Sequence, residues 1–206
     1  MDVATPLITI VVAVFIAELT DKDAILLLAL ATKVRPLIVF VSGVIAFTIT
    51  TAIIVTIGHF LINVAPVTWI KLSGAAIMIG YAIWSLSKAR HGEVEDELAK
   101  EEKQLLSHSR RRRFLPIVVG IVPSLVVLDL AGDATEILTI VFVAQFQNAL
   151  LVFVGALTAL VCATAVETTI GNQLSKLFSV KRIELCSPIV FLIVGGAIII
   201  LTILRY

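Results

Sequence analysis

The sequence predicts an all-α integral membrane protein with six transmembrane helices arranged as two inverted three-helix repeats. Three observations lead to this fold. The 206 residues are 59% hydrophobic and 15% charged, with a mean hydropathy of +1.09, whereas soluble domains carry about 25% charged residues. The apolar residues fall in runs long enough to cross a bilayer, and two of the runs resemble each other. A net charge of +1 also argues against a nucleic-acid-binding protein, which would carry a basic excess.

Six apolar segments have the length that a bilayer core requires. We expect spans at 6–31, 36–62, 66–87, 114–143, 148–172 and 184–204. No Lys or Arg precedes the first segment, so we expect it to be a retained helix and not a signal peptide. The chain then consists of a first three-helix repeat at 1–87, a charged loop at 88–113 and a second three-helix repeat at 114–206.

Basic residues predict the orientation of these spans. With the N-terminus outside, 13 Lys and Arg residues lie inside, eight of them in the central loop, and only Lys71 and Arg205 lie outside. Because basic residues accumulate on the cytoplasmic side, we expect a cytoplasmic loop and two external termini.

An internal repeat relates the two halves. Residues Leu37–Leu61 and Leu150–Leu174 are identical at 11 of 25 positions with a constant shift of 113. Three helices per half force the halves into opposite orientations. This is the inverted-topology repeat of many secondary transporters, whose site lies at the repeat interface near the membrane midplane.

Away from the ends of the predicted spans, seven acidic residues and one base, Lys22, lie at membrane depth. The acids are Glu18, Asp21, Asp23, Asp129, Asp133, Glu136 and Glu167. An ionised side chain at a helix centre costs about 2.5–3.5 kcal/mol on insertion scales. Seven negative charges therefore require protons or a bound cation, and the cluster predicts an ion site.

Helical periodicity gathers most of these acids. At about 100° per residue, Asp129, Asp133 and Glu136 fall within an arc of roughly 60° on one helix surface. Glu18, Asp21 and Lys22 fall within a comparable arc in the first span. Asp23 points away from Glu18 and is expected at a helix end. Glu167 aligns with Ile54 in the repeat, and we interpret it as a snorkelling or access-path residue, not a direct ligand.

The expected ligands are all oxygen atoms. Thr20 and Thr135 lie beside the carboxylates, and no Cys or His accompanies them. Such a set suits the hard cations Ca²⁺, Mn²⁺ and Mg²⁺ and argues against Zn²⁺ or Cu⁺. We expect no resident cofactor, only a transported ion.

The acidic segments resemble the paired Glu-x-Gly-Asp-(Lys/Arg)-(Ser/Thr) motifs of the GDT-type family of cation/proton exchangers. This family comprises the Golgi and chloroplast manganese/calcium transporters and their prokaryotic relatives, within the lysine-exporter superfamily. The first segment keeps Glu18, Asp21 and Lys22, and the second keeps Gly132, Asp133 and Thr135. The departures are Thr20, Asp23, Leu130 and Ala134, with Asp129 and Glu136 close by as replacements.

The resemblance implies a prokaryotic plasma-membrane transporter that exports Mn²⁺ or Ca²⁺ against inward protons by alternating access. The metal ion and the protons would compete for the same carboxylates, because metal ligation requires deprotonation. Lys22 would tether one carboxylate and limit the net charge of the empty site. Besides its ions and the lipid around it, the chain is expected to need no nucleic-acid partner, and a homo-oligomer stays open.

Two alternatives remain at this stage. A lysine-exporter-type transporter of a small organic solute would need an apolar pocket and one charge pair, which the acidic cluster exceeds. An intramembrane aspartyl protease would use Asp133 of the Gly-Asp pair and Asp21, but the repeat would then serve no purpose. We therefore expect a transporter and not an enzyme.

Overall fold

Helices make up nearly all of the chain that the computed structural model describes, which is residues 3–91, 114–130, 134–177 and 180–204. They are α1 (Ala4–Leu19), α2 (Lys22–Lys33), α3 (Pro36–Val64), α4 (Val67–His91), α5 (Phe114–Leu130), α6 (Ala134–Phe146), α7 (Ala149–Leu177) and α8 (Val180–Leu204). No strand occurs in these residues, which confirms the all-α prediction. The charged segment from residue 92 to 113 lies outside the description.

Within the described residues, three helices are long and apolar enough to cross a membrane: α3, α4 as far as Ser87 and α7 as far as Thr169. The first expected span is not one continuous helix, because α1 ends at Leu19 and α2 begins at Lys22. In the fourth expected span, α5 ends at Leu130 and α6 begins at Ala134. The sixth expected span lies within α8.

Helix lengths and positions reproduce the internal repeat. The helices α3 and α7 each have 29 residues, and α4 and α8 each have 25. Both pairs start at the offset of 113 that relates the sequences. The ring centroids of Tyr81 in α4 and Phe191 in α8 lie 5.9 Å apart. Gly195, further along α8, packs against Ala75 and Ile79, which come earlier in α4. The helices α4 and α8 therefore run in opposite directions, as an inverted repeat requires.

The two halves are interlocked. The unbroken helix α7 of the second half packs against α1 and α2 of the first half, and α3 of the first half packs against α5 and α6 of the second. We call α1, α2 and α7 bundle A, and α3, α5 and α6 bundle B. The bundles meet along α3 and α7, and α4 and α8 pack against each other beside them.

Large apolar side chains are divided between a core and the outer surface. Phe47, Leu27 and Leu138 are fully buried between the helices. Trp69, Leu150 and Leu204 are each about 70% exposed. Exposed apolar surface on this scale is the pattern of a protein that contacts lipid, since soluble monomers rarely expose large apolar patches.

Candidate functional site

A small cavity lies between bundle A and bundle B. The volume that the centre of a water molecule can occupy is about 20 Å³. This is room for about one water molecule or one desolvated ion. The lining residues are Glu18, Thr50, Thr51, Ile54, Asp129, Thr135, Glu136, Thr139 and Leu160. Seven of these nine carry a side-chain oxygen, and none carries nitrogen or sulfur. The cavity therefore offers hard oxygen ligands.

Helix ends carry the acidic side chains to the cavity. Glu18 is the last residue but one of α1, and Asp129 is the last but one of α5. Glu136 lies in the first turn of α6. A helix C-terminus has a partial negative charge that favours a cation, and a helix N-terminus favours a carboxylate. Discontinuous helices that end at midplane sites of this kind are a feature of transporters.

Thr20 organises the end of α1. Its hydroxyl donates hydrogen bonds to the carbonyl oxygens of Ile16 at 3.0 Å and Ala17 at 2.9 Å. Its backbone N–H donates to Ala17 at 3.2 Å, and that of Asp21 donates to Glu18 at 3.0 Å. The two backbone bonds span three residues instead of four, which tightens the last turn and ends the helix beside Glu18.

The threonine hydroxyls of the lining differ in their hydrogen bonds. Thr139 donates to the carbonyl of Thr135 at 2.9 Å, and Thr50 donates to Ala46 and Phe47 at 3.3 Å each. A hydroxyl that donates to a carbonyl keeps oxygen lone pairs for a cation. The hydroxyl of Thr135 is buried and has no hydrogen-bond partner among the described residues. It is therefore the hydroxyl of the lining most in need of a ligand.

The structure brings together four of the residues selected from the sequence, namely Glu18, Asp129, Thr135 and Glu136. Three others lie apart from the lining: Thr20 at the end of α1, and Asp21 and Glu167, which are 1% and 2% exposed. Asp133 and the side chains of Lys22 and Asp23 lie outside the described residues. Among the side chains that are described, no three from Asp, Glu, His and Cys lie close enough to hold one metal ion. The cavity is thus ringed by acids without an assembled coordination shell.

Sequence reasoning missed the contribution of α3. Thr50 and Thr51 line the cavity from the middle of this helix, and Thr139 joins them from α6. The available signal was a cluster of hydroxyls at the centre of an apolar span. It is a weak signal, because Thr48 and Thr56 in the same helix only donate to the backbone, at 2.6 and 2.7 Å.

Comparison with known proteins agrees with the repeat and with the chemistry of the cavity. Neither a curated protein nor a solved structure matches the chain. The family model described as divalent cation/proton antiporter GDT1 matches residues 6–93 and 118–204, which is most of the sequence in two segments. The chain therefore belongs to the GDT1 family of divalent cation/proton antiporters.

Proposed function

We propose that this protein exports Mn²⁺ or Ca²⁺ in exchange for protons by alternating access, through the cavity between bundles A and B. The observation that carries the proposal is the all-oxygen lining, with Glu18 supplied by bundle A and Asp129 and Glu136 by bundle B. Both metals prefer oxygen ligands, and carboxylates supply the charge that a divalent ion needs.

In this mechanism metal and protons compete for the same carboxylates. Glu18, Asp129 and Glu136, joined by Asp21 and Asp133, bind metal in their ionised form and release it when they take up protons. Metal affinity must therefore increase as pH rises. The base Lys22 limits the net charge of the site when the metal has left.

The interlocked repeats support alternating access. Each bundle combines the unbroken helix of one half with the two shorter helices of the other, and the cavity lies between the bundles. Rocking of one bundle against the other would expose the cavity first to one side of the membrane and then to the other.

The size of the cavity does not favour the two alternatives. Room for about one water is too small for an amino acid or a similar organic solute. An aspartyl protease needs two facing aspartates, and Asp21 is not part of the lining.

The test is a metal-driven proton flux. Purified protein in sealed liposomes receives an outward gradient of Mn²⁺ or Ca²⁺, and a pH dye records the protons that enter. We expect coupled fluxes in the unmodified protein and the loss of both in Asp133→Asn and Asp129→Asn. Glu101→Gln in the charged segment is the matched control and should behave as the parent. Metal movement without proton movement at any pH would show a uniporter and refute the proposal.

A further inference from the structure

Glu167 is a buried acid that the cavity does not use. It is 2% exposed, and neither of its carboxylate oxygens has a hydrogen-bond partner among the described residues. The snorkelling interpretation does not fit a side chain so deeply buried. An acid held at membrane depth is costly and marks a functional position by default.

Its position along α7 is informative. Leu160 lines the cavity, Thr164 follows four residues later and Glu167 seven residues later. At 3.6 residues per turn these three lie on one stripe of the helix, and Glu167 lies about 10 Å from Leu160 along the axis. The stripe leads from the cavity toward Leu177, the end of α7.

The repeat supports the same stripe. In the alignment of the two repeats, Glu167 corresponds to Ile54 and Thr164 corresponds to Thr51. Ile54 and Thr51 both line the cavity from α3. Glu167 is therefore the bundle A equivalent of Ile54, which lines the cavity in bundle B. The halves differ there, since one has an apolar side chain where the other has a carboxyl group.

Two buried hydroxyl groups lie on α7 and on the stretch of α3 that packs against it. Thr164 is fully buried and its methyl group lies 3.0 Å from where a side chain at Gly43 would begin. Its hydroxyl donates to the Leu160 carbonyl at 2.7 Å and keeps lone pairs as acceptors. Next to Gly43, the hydroxyl of Ser42 is buried without a hydrogen-bond partner among the described residues.

The ion that suits this position is a proton. A single carboxyl group takes up a proton without further ligands, whereas a calcium ion takes six to eight oxygen ligands. The helices packed against α7 carry the other titratable groups. They are Glu18 in α1, Asp21 between α1 and α2, Lys22, Asp23 and Lys33 in α2, His59 in α3 and Glu136 in α6.

We propose that Glu167 is a proton station separate from the metal cavity, through which the exchanged proton passes between the cavity and the membrane face where α7 ends. The O–H bond at a cavity carboxyl group breaks, water molecules relay the proton, and an O–H bond forms at Glu167, so no oxidant or other reactant is consumed. The metal itself does not bind there. This inference rests on the proposed exchange and names the proton route of that exchange.

Glu167→Gln separates this role from metal binding, because Gln keeps the shape and loses the titratable group. In liposomes we expect metal-for-metal exchange and metal affinity to be unchanged, since neither needs the proton route. Metal-driven proton flux should fall by about 100-fold, the scale of a lost proton-transfer group. Glu167→Ile, which copies the first half, should behave alike, and Glu167→Asp should recover part of the flux.

Each other outcome is decisive. Unchanged proton flux in Glu167→Gln would overturn the inference, as would loss of metal-for-metal exchange, which would make Glu167 a metal ligand or a structural residue. If the unmodified protein moved metal without protons, the proposed exchange would fail, and that failure is visible before any variant is made.

Discussion

Gly74 is a point of close approach between α4 and α6. A Cβ atom added there would meet Cγ2 of Val141 at a separation that real side chains do not reach, with Ile137 nearby. Gly80, two turns later on the same helix, has no atom within 4 Å of such a Cβ. The same substitution at the two positions therefore has different physical consequences.

We expect Gly74→Ala to lower the free energy of unfolding by about 1–3 kcal/mol, the usual cost of overpacking. Gly80→Ala should cause no loss. Removal of the opposing methyl groups in Gly74→Ala/Val141→Ala should restore most of the stability. Thermal unfolding of the detergent-solubilised protein measures all three, and equal losses in both single variants would contradict the packing described for α4.

At this scale the acids were easier to predict than the hydroxyls. Glu18, Asp129 and Glu136 stand out in the sequence because charge is expensive in a membrane, and the structure places all three around the cavity. Thr50 and Thr51 do not stand out, because threonine in an apolar helix satisfies its hydroxyl on the backbone at little cost. Only the packing of α3 against its neighbours shows which hydroxyls face the cavity.

Among the elements, α1 ends at a threonine whose hydroxyl bonds to the backbone beside the cavity. The Thr20 hydroxyl donates to two carbonyls of the last turn of α1, as Thr9 donates to the Thr5 carbonyl at 2.8 Å in an exposed part of the same helix. The two threonines make the same kind of bond, but only Thr20 lies beside Glu18 and Asp21.

We expect Thr20→Val to lower the free energy of unfolding by about 0.5–1.5 kcal/mol, the net worth of a typical hydrogen bond. It should also weaken metal binding, because the end of α1 positions Glu18. Thr9→Val is the matched control and should leave metal affinity unchanged. Titration of both variants with Mn²⁺ or Ca²⁺ decides the matter. Equal affinity in the two variants would mean that Thr20 does not organise the site.

The break itself could not be predicted from hydropathy. Residues 6–31 form one uninterrupted stretch of spanning length, and the arc that joins Glu18, Asp21 and Lys22 assumes a continuous helix. No proline marks the junction of α1 and α2. The interruption coincides with the three-residue backbone bonds of Thr20 and Asp21, and a local change of that kind leaves no periodic signal in hydropathy.

For the whole molecule, orientation in the membrane is a direct prediction. The pairs Gly58–Val143 and Ile10–Gly155 are in contact. They place the end of α3, the end of α6 and the starts of α1 and α7 on one side. Because the sequence predicts 13 basic residues on the opposite side, we expect that side to be cytoplasmic.

Single cysteines in a background without Cys162 and Cys186 test this orientation. Asn63→Cys, in the last turn of α3, should react with an impermeant thiol reagent in intact cells. Ser107→Cys in the charged segment should react only after permeabilisation. Reaction of the second variant in intact cells would reverse the orientation, although the antiparallel arrangement of α4 and α8 would stand.

The repeat anticipated much of this architecture, including helix lengths and the opposite directions of the two halves. It did not anticipate the interlocking, because a sequence repeat says which segments are equivalent and not which segments touch. Two separate three-helix halves and two exchanged ones share the same internal symmetry. Only the packing of α7 on α1 and α2, and of α3 on α5 and α6, distinguishes them.

Interlocking also determines when the protein can complete its fold during synthesis. The ribosome releases α1 and α2 long before α7, the helix that covers them, has been made. Glu18 and Asp21 are therefore made before the residues of α7 that cover α1 and α2, which lie more than 120 positions later in the chain. The first half has no finished structure of its own, and the chain becomes a folded protein only when its second half arrives.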